Sequence, residues 1–171
     1  IKISKKTLLI KENINFIRKV KKESNLIAMA PSANWEGKKW PQERFIQLIK
    51  KLINSDEFKN PKFLIFGSLN EIDDAKNISI NFPKDKLINF SGSLKLNEIF
   101  LIFKYCDLFI GNDSGLMHLA AAAEIPTVGL FGPSDIIQYH PWGKNTLAIR
   151  TPESPDELMN TKYFSHKKKK S

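Results

Sequence analysis

The sequence predicts an α/β fold: a Rossmann-like parallel sheet with helices on both faces. Short apolar runs alternate with amphipathic stretches of helical period between residues 25 and 150. Such alternation is typical of a parallel sheet, because each crossover helix returns the chain to the edge where the next strand begins. Of the 171 residues, 42% are hydrophobic, so the chain can bury the core of one good-sized domain.

The first elements follow from the spacing of apolar residues. A basic stretch over 11–24 has apolar residues on one side and predicts a short leading helix. The apolar run 25–30 predicts a buried strand. After a polar loop, 42–54 predicts a helix, since its apolar residues recur at helical spacing and form an inner face of Phe45, Leu48, Ile49 and Leu52.

The rest of the chain repeats this alternation of strand and helix. Asn70 is a residue type that N-caps helices, and we expect it to cap the helix that follows it. Apolar runs bounded by Gly, Pro, Asn or Asp predict the strands. In chain order the remaining elements are predicted as strand 62–67, helix 71–78, strand 86–90, helix 96–106, strand 107–111, helix 116–124, and strands 126–132 and 145–150.

The net charge of +9 is concentrated at the two ends of the chain. Residues 1–22 and the run Lys167–Lys170 are strongly basic, whereas residues 23–166 have a net charge of −2. A nucleic-acid binder is therefore disfavoured. The basic ends are either solvated lysines or a contact with a membrane surface or another polyanion.

Cysteine and hydropathy exclude further classes. The single cysteine, Cys106, rules out an internal disulfide and a cysteine metal cluster, and its apolar surroundings predict a core residue. No apolar run has the length that a bilayer span requires, and no signal peptide is visible. Asp73 and Asp74 are adjacent on a predicted helix, which is a poor arrangement for chelation, so we expect no metal.

The loop after the strand at 107–111 contains the most unusual residues. In a parallel sheet, ligands bind just beyond the carboxyl ends of the strands. A helix start presents unpaired N–H groups and a partial positive charge, which suit an anion. Gly115 allows a ligand to approach the backbone, Ser114 adds a hydroxyl, and His118 lies one turn further along. The small residues Ala120–Ala123 allow this helix to lie close to the sheet and so fix the direction of its tip.

Several other loop residues are candidates with two possible roles each. Asp113 either N-caps the helix or accepts hydrogen bonds from sugar hydroxyls. Glu71 either belongs to a first helical turn or binds the hydroxyls of a ribose. Lys38 and Lys39 either reach a phosphate or lie on a solvated turn. The same loops offer further substrate-binding candidates at Ser32, Asn34, Gly67 and Gly132.

Three segments together resemble glycosyltransferase family 9, the ADP-heptose:lipopolysaccharide heptosyltransferases. They are PSANWEGKKWPQERFIQLIKKL at 31–52, IFGSLNE at 65–71 and NDSGLMHLAAAAEIPTVGLFGPSD at 112–135. The resemblance implies the GT-B fold, in which two Rossmann-like domains face each other across a cleft, and this chain resembles the C-terminal half. It divides the chain into a leading segment from the interdomain linker at 1–24, a nucleotide-sugar-binding domain at 25–151, and a truncated lysine-rich tail at 152–171.

The resemblance also implies an activity, a metal-independent inverting transfer of heptose from ADP-heptose to the inner core of lipopolysaccharide, without a cofactor. It implies that Lys38 contacts the sugar-phosphate, that Glu71 holds the ribose, and that Asp113, Ser114, Gly115 and His118 grip the pyrophosphate and sugar. The family's catalytic base lies on an amino-terminal domain that this chain lacks, so we assign no catalytic residue here. A loop threonine of some members corresponds to Ala33 or Asn34 in this sequence, which removes a hydroxyl contact.

The implied partners are the nucleotide-sugar donor, the lipopolysaccharide acceptor and the amino-terminal domain. We expect a cytoplasmic enzyme, with its basic ends in peripheral contact with the inner membrane. Two other readings stay open at this point. One is a different GT-B enzyme, such as a nucleotide-sugar epimerase or a transferase with another donor, and the other is a non-catalytic nucleotide-binding module.

Overall fold

The computed structural model describes the backbone of residues 5–159 and the side chains of residues 11–154 and 156–158. Seven helices and six strands alternate along this part of the chain. The elements are α1 (Lys5–Lys21), β1 (Leu26–Ala30), α2 (Gln42–Ile53), β2 (Lys62–Ile65), α3 (Ile72–Ser79), β3 (Leu87–Asn89), α4 (Leu96–Phe103), β4 (Leu108–Asn112), α5 (Gly115–Ala122), β5 (Thr127–Phe131), α6 (Ile136–Tyr139), β6 (Thr146–Arg150) and α7 (Pro155–Met159), with 3₁₀ turns at Glu36–Lys38 and Leu69–Glu71.

The six strands form one parallel sheet in the order β3-β2-β1-β4-β5-β6. Helices α1, α4 and α5 pack on one face, and α2 and α3 pack on the other. This is the doubly wound Rossmann order, and the predicted fold class is confirmed. The strand order reverses between β1 and β4, so the loops that follow these two strands separate there and leave a crevice at the carboxyl edge of the sheet.

The central strand explains why its sequence is a continuous apolar run. Leu26, Ala28 and Ala30 point into the core under α1, α4 and α5, whereas Ile27 and Met29 point into the core under α2 and α3. All five side chains are buried. A strand covered on both faces has no polar alternation, because no residue of it meets water.

Small residues bring α5 close to the sheet. Ala120 is fully buried and Ala121 and Ala123 nearly so, whereas Ala122 is exposed. The sheet contributes Gly129, where an added Cβ would come within 2.3 Å of the Met117 sulfur. The helix therefore has little freedom to shift, and its amino terminus has a fixed place at the edge of the crevice.

Two details of the predicted elements are wrong. Asn70 does not cap α3: the turn begins after Ser68, whose N–H donates to the Glu71 carboxylate at 2.6 Å. The short helices α6 and α7 were not expected, because four or five residues are too few to show a helical period. Helix α7 occupies the start of the predicted tail at 152–171, and the lysine run of that tail lies outside the described residues.

Helix α1 is held to the sheet through polar contacts near the amino ends of the strands. Arg18 donates to the Tyr105 hydroxyl at 2.8 Å, and Lys21 pairs with Asp107, which also accepts the Leu26 N–H at 2.7 Å. Partial burial raises the pKa of Asp107, but the hydrogen bonds from Lys21 and Leu26 outweigh burial and hold that pKa below its ordinary value. Arg18 and Lys21 of α1 thus stabilise the fold.

Cys106 is buried in the core, as the sequence predicts. Burial, with a smaller contribution from the charge of Asp107, raises the pKa of its thiol to about 12, so the thiolate is not formed near neutral pH. In the part of the chain that the structure describes, no helix combines the length and the hydrophobicity needed to cross a bilayer.

Candidate functional site

A cavity of about 880 Å³ lies at the carboxyl edge of the sheet, between the loops that follow β1, β2, β3 and β4. Its floor includes Ala30 and Phe66, at the ends of β1 and β2. Nine of the eleven candidate residues line this one cavity: Ser32, Asn34, Lys38, Gly67, Glu71, Asp113, Ser114, Gly115 and His118. Residues from four separate loops therefore meet in one place.

Gly132 is one of the two candidates, with Lys39, that do not line this cavity. It lies instead on a second cavity of about 180 Å³, which shares Lys38 with the first. An added Cβ at Gly132 would come within 3.0 Å of the Gly37 carbonyl oxygen. The structure therefore gives Gly132 a packing role, since its small size lets the loop after β5 approach the loop after β1.

The start of α5 is open towards the cavity. Ser114 is the N-cap residue, but its side chain makes no capping hydrogen bond, and its buried Oγ has no hydrogen-bond partner. Gly115 is exposed, and an added Cβ there would meet no atom within 4 Å. Buried polar groups in folded proteins nearly always have partners. An unpaired hydroxyl beside unpaired helix N–H groups is an arrangement that a ligand oxygen can complete.

Two other helical turns begin at the same cavity, and each supplies its own acceptor. Glu71 accepts the N–H of Ser68 at 2.6 Å before α3. Glu98 accepts the N–H of Lys95 at 2.8 Å at the start of α4. These carboxylates neutralise the local positive potential of those turns. The start of α5 is therefore the better place for an anion among the three.

Asp113 is paired with Lys38 and does not cap α5. The Lys38 Nζ lies 2.6 Å from Asp113 Oδ2, and the Asp113 side chain is 5% exposed. The capping alternative for Asp113 is therefore wrong, because Ser114 occupies that position. Lys38 also lies 5.5 Å from the centre of the Tyr139 ring. Pairing with lysine reduces the repulsion that a buried carboxylate would exert on an anion bound next to it.

Lys39 does not line this cavity, and its contact with a phosphate stays a prediction. Its Nζ lies 2.8 Å from both Glu36 and Asp74. Burial lowers the pKa of Lys39, but the hydrogen bonds to Asp74 and Glu36 outweigh burial and raise it above its ordinary value. In the described part of the chain, no three His, Cys, Asp or Glu side chains come together as a metal site.

The family model of "Glycosyltransferase family 9 (heptosyltransferase)" matches residues 3–168. The chain belongs to glycosyltransferase family 9. The resemblance carried by the three segments is thereby confirmed.

Among curated family 9 relatives, lipopolysaccharide heptosyltransferase 2 of Salmonella typhimurium is 32% identical over 116 residues, which cover 66% of this chain and 32% of that protein. Lipooligosaccharide heptosyltransferase 2 of Haemophilus influenzae is 31% identical over 123 residues, 70% of this chain and 34% of that protein. The chain thus spans about a third of the length of these relatives.

Solved family 9 structures have the same fold. The ADP-heptose lps heptosyltransferase II of E. coli superposes with a TM-score of 0.72 at 26% identity, over 94% of this chain and 48% of that one. The family 9 glycosyl transferase of Veillonella parvula gives a TM-score of 0.71 at 23% identity, over 88% of this chain and 42% of that one, which is a likeness of fold.

Asn112, which lies directly before Asp113, was not among the residues predicted from the sequence of this family 9 chain. Asn112 is fully buried; its Nδ2 donates to the Pro31 carbonyl at 2.7 Å, and its Oδ1 accepts the Trp40 N–H at 3.0 Å. One amide thus joins both ends of the loop that carries Lys38. Only a side chain with a donor and an acceptor can do this, and an Asn at the end of a buried strand was the signal available in the sequence.

Proposed function

We propose that this chain binds the ADP-heptose donor of a heptosyltransferase that acts on the inner core of lipopolysaccharide. The observation that carries the proposal is the open start of α5, where the Ser114 hydroxyl is unpaired and Gly115 is unobstructed. This helix start lies on the cavity at the carboxyl edge of the sheet, where the strand order reverses. Membership of family 9 supports it, as do the names of the relatives, which are lipopolysaccharide and lipooligosaccharide heptosyltransferases.

In the proposed complex, the diphosphate lies against the first N–H groups of α5. The Ser114 hydroxyl donates to one phosphate oxygen, and Lys38 approaches from the opposite side as a point charge. Glu71 accepts from the ribose hydroxyls, since a carboxylate can accept several hydrogen bonds beyond the one from Ser68. His118 lies on the same wall of the cavity and contacts the diphosphate or its sugar.

The proposed reaction is an inverting displacement. The oxygen of an acceptor hydroxyl forms a bond to the anomeric carbon of the heptose, and the bond from that carbon to the phosphate oxygen breaks. The electron pair leaves with ADP, and the acceptor proton passes to a base on a domain that precedes this chain in the complete enzyme. In the proposed complex, the negative charge that grows on ADP is stabilised by the α5 N–H groups, Lys38 and His118.

Isothermal titration of the 171-residue chain with ADP tests the proposal. We expect weak but saturable binding of ADP, weaker binding of UDP and GDP, and no transfer of heptose by the chain alone. A folded sample that binds no ADP would contradict the assignment of the donor site. A preference for UDP or GDP would instead favour a family 9 relative with another donor.

We also propose that the enzyme works at the cytoplasmic face of the inner membrane. Lys11 and Lys19 of α1 and Lys22 directly after that helix are exposed, and each lysine near an anionic surface contributes about 1 kcal/mol of attraction. Co-sedimentation of the chain with vesicles should therefore increase with their content of anionic lipid. Binding that does not depend on anionic lipid would contradict the proposed contact with the membrane.

A further inference from the structure

Asp74 on α3 receives three hydrogen bonds from the segment around Lys38. Lys39 Nζ lies 2.8 Å and Ser32 Oγ 3.2 Å from Asp74 Oδ2, and Gln42 Nε2 lies 2.8 Å from Asp74 Oδ1. Both carboxylate oxygens are therefore used. The donors come from the beginning of the loop after β1, from its end, and from the first turn of α2.

These contacts join two walls of the cavity. Lys39 follows Lys38 directly, so fixing the Lys39 side chain also restricts the backbone that carries Lys38. On the other side, Asp74 lies one helical turn beyond Glu71. The distance between the cation on one wall and the carboxylate on the other is thus set in part by Asp74.

The position of the contacts makes them stronger than an ordinary surface pair. The side chains of Lys39 and Asp74 are 21% and 23% exposed, so water screens their attraction only partly. Two neutral donors, Ser32 and Gln42, accompany the charged one, and a carboxylate with several donors in place is held in a single orientation.

We propose that Asp74 is a positioning residue that acts through Lys38: it holds the loop after β1 so that Lys38 meets the diphosphate. Asp74 itself lies outside the cavity lining and does not touch the ligand. This role rests on the proposed function, because it requires a diphosphate bound at the start of α5.

The chain contains a matched control for Asp74. Asp73 precedes it on the first turn of α3, carries the same charge and is exposed to solvent. Asp73→Asn and Asp74→Asn therefore remove one carboxylate each from the same helical turn. Their effects on the helix dipole are alike, so a difference between them reports the contacts with Ser32, Lys39 and Gln42.

The experiment is a chemical-shift titration of the ¹⁵N-labelled full chain with ADP and, separately, with adenosine. We expect Asp74→Asn to weaken ADP binding about tenfold, the size of one lost charge-assisted hydrogen bond. We expect no change in adenosine binding, because adenosine has no phosphate for Lys38 to contact. Asp73→Asn should bind both ligands as the wild type does. Lys39→Met removes the charged partner of Asp74, and we expect it to weaken ADP binding by a similar factor. This variant replaces Asp74→Asn in the test if Asp74→Asn does not fold.

Two outcomes would overturn the role of Asp74. One is equal ADP affinity in the Asp74→Asn and Asp73→Asn chains. The other is a parallel loss of ADP and adenosine binding in Asp74→Asn, which would indicate general damage to the cavity. A wild-type chain that binds no ADP rejects the proposed function itself and the role of Asp74 with it, and that result is visible before any variant is compared.

Discussion

Helices α4 and α5 begin at the wall of the same cavity, but only α4 closes its own amino terminus. At α4, the Glu98 carboxylate is buried and accepts the Lys95 N–H. At α5, the first turn contains no acidic residue, the Ser114 hydroxyl has no partner, and Gly115 leaves the backbone uncovered. A helix start suits an anion when its own sequence leaves its N–H groups unsatisfied, and this difference is the reason for proposing the diphosphate site at α5 and not at α4.

The start of α4 contributes to the stability of the fold, whereas the start of α5 is proposed to contribute to ligand binding. The carboxylate at α4 stabilises the fold, because it satisfies a backbone donor inside the protein. The open groups at α5 stabilise nothing in the free chain, and that helix is held instead by Met117 and Ala120, which are fully buried against the sheet. Substitutions at the two starts should therefore separate into those that change unfolding and those that change ligand affinity.

Lys38→Ala should have the largest effect. Removing one donor to a developing charge lowers turnover by about 10²–10³-fold, so under the proposed function we expect this loss in the proposed full-length heptosyltransferase. Steady-state kinetics with ADP-heptose measures it. Lys95→Ala is the matched control, because Lys95 lines the same cavity at the closed start of α4. Equal losses in both variants would break the distinction between the two helix starts.

Gly115→Ala should weaken ADP binding while it stabilises the fold. A Cβ at Gly115 meets no protein atom, so the exchange of glycine for alanine in a helix should raise the free energy of unfolding by about 0.5 kcal/mol. The same methyl group lies where the diphosphate would approach, and we expect about tenfold weaker binding, or 1.4 kcal/mol. Urea unfolding and calorimetry measure the two effects. A stabilised variant with unchanged ADP affinity would place the diphosphate elsewhere.

Ser114→Ala and Glu98→Ala should have opposite profiles. The Ser114 hydroxyl makes no hydrogen bond in the free chain, so its loss should leave the unfolding free energy within about 0.5 kcal/mol and weaken ADP binding. Loss of Glu98 should lower the unfolding free energy by about 1 kcal/mol, as loss of a helix cap does, and leave ADP binding unchanged. Urea unfolding and calorimetry with ADP measure both quantities for Ser114→Ala and Glu98→Ala. Similar profiles for both variants would mean that the α4 and α5 starts do not differ in function.

Asp107→Asn should change stability only, and only at some pH values. The pKa of Asp107 is lowered in the folded chain, so its ionised form contributes stability above the unfolded pKa of about 4. That contribution is lost as the pH falls through the folded pKa. Urea unfolding should show the variant about 1 kcal/mol less stable at pH 7 and nearly equal to the wild type well below pH 4. Asp56→Asn, at an exposed carboxylate, is the control.

Local pattern was sufficient for the fold and for most of the cavity. The alternation of apolar runs and helical stretches predicted the sheet, and the rule that ligands bind at strand ends led to Ser32, Glu71 and Ser114, which do line the cavity. The residue at which a helical turn begins was harder to predict. Both Ser68 and Asn70 are capping residue types, and only the hydrogen bond from the Ser68 N–H to Glu71 distinguishes them.

Contacts between distant side chains could not be read from the sequence. The pairing of Lys38 with Asp113 and of Lys39 with Asp74 joins residues 75 and 35 positions apart. The two lysines are adjacent and look equivalent in the sequence, yet one faces the cavity and the other faces α3. Asn112 was missed for the same reason, because its two partners lie at the ends of another loop.

The most direct test of the central claim is a crystal structure of this chain with ADP bound. We expect the diphosphate within hydrogen-bond distance of the Gly115 N–H and the Ser114 Oγ, with Lys38 turned towards it. A diphosphate bound at the start of α3 or α4, beside Glu71 or Glu98, would contradict the proposed donor site at α5.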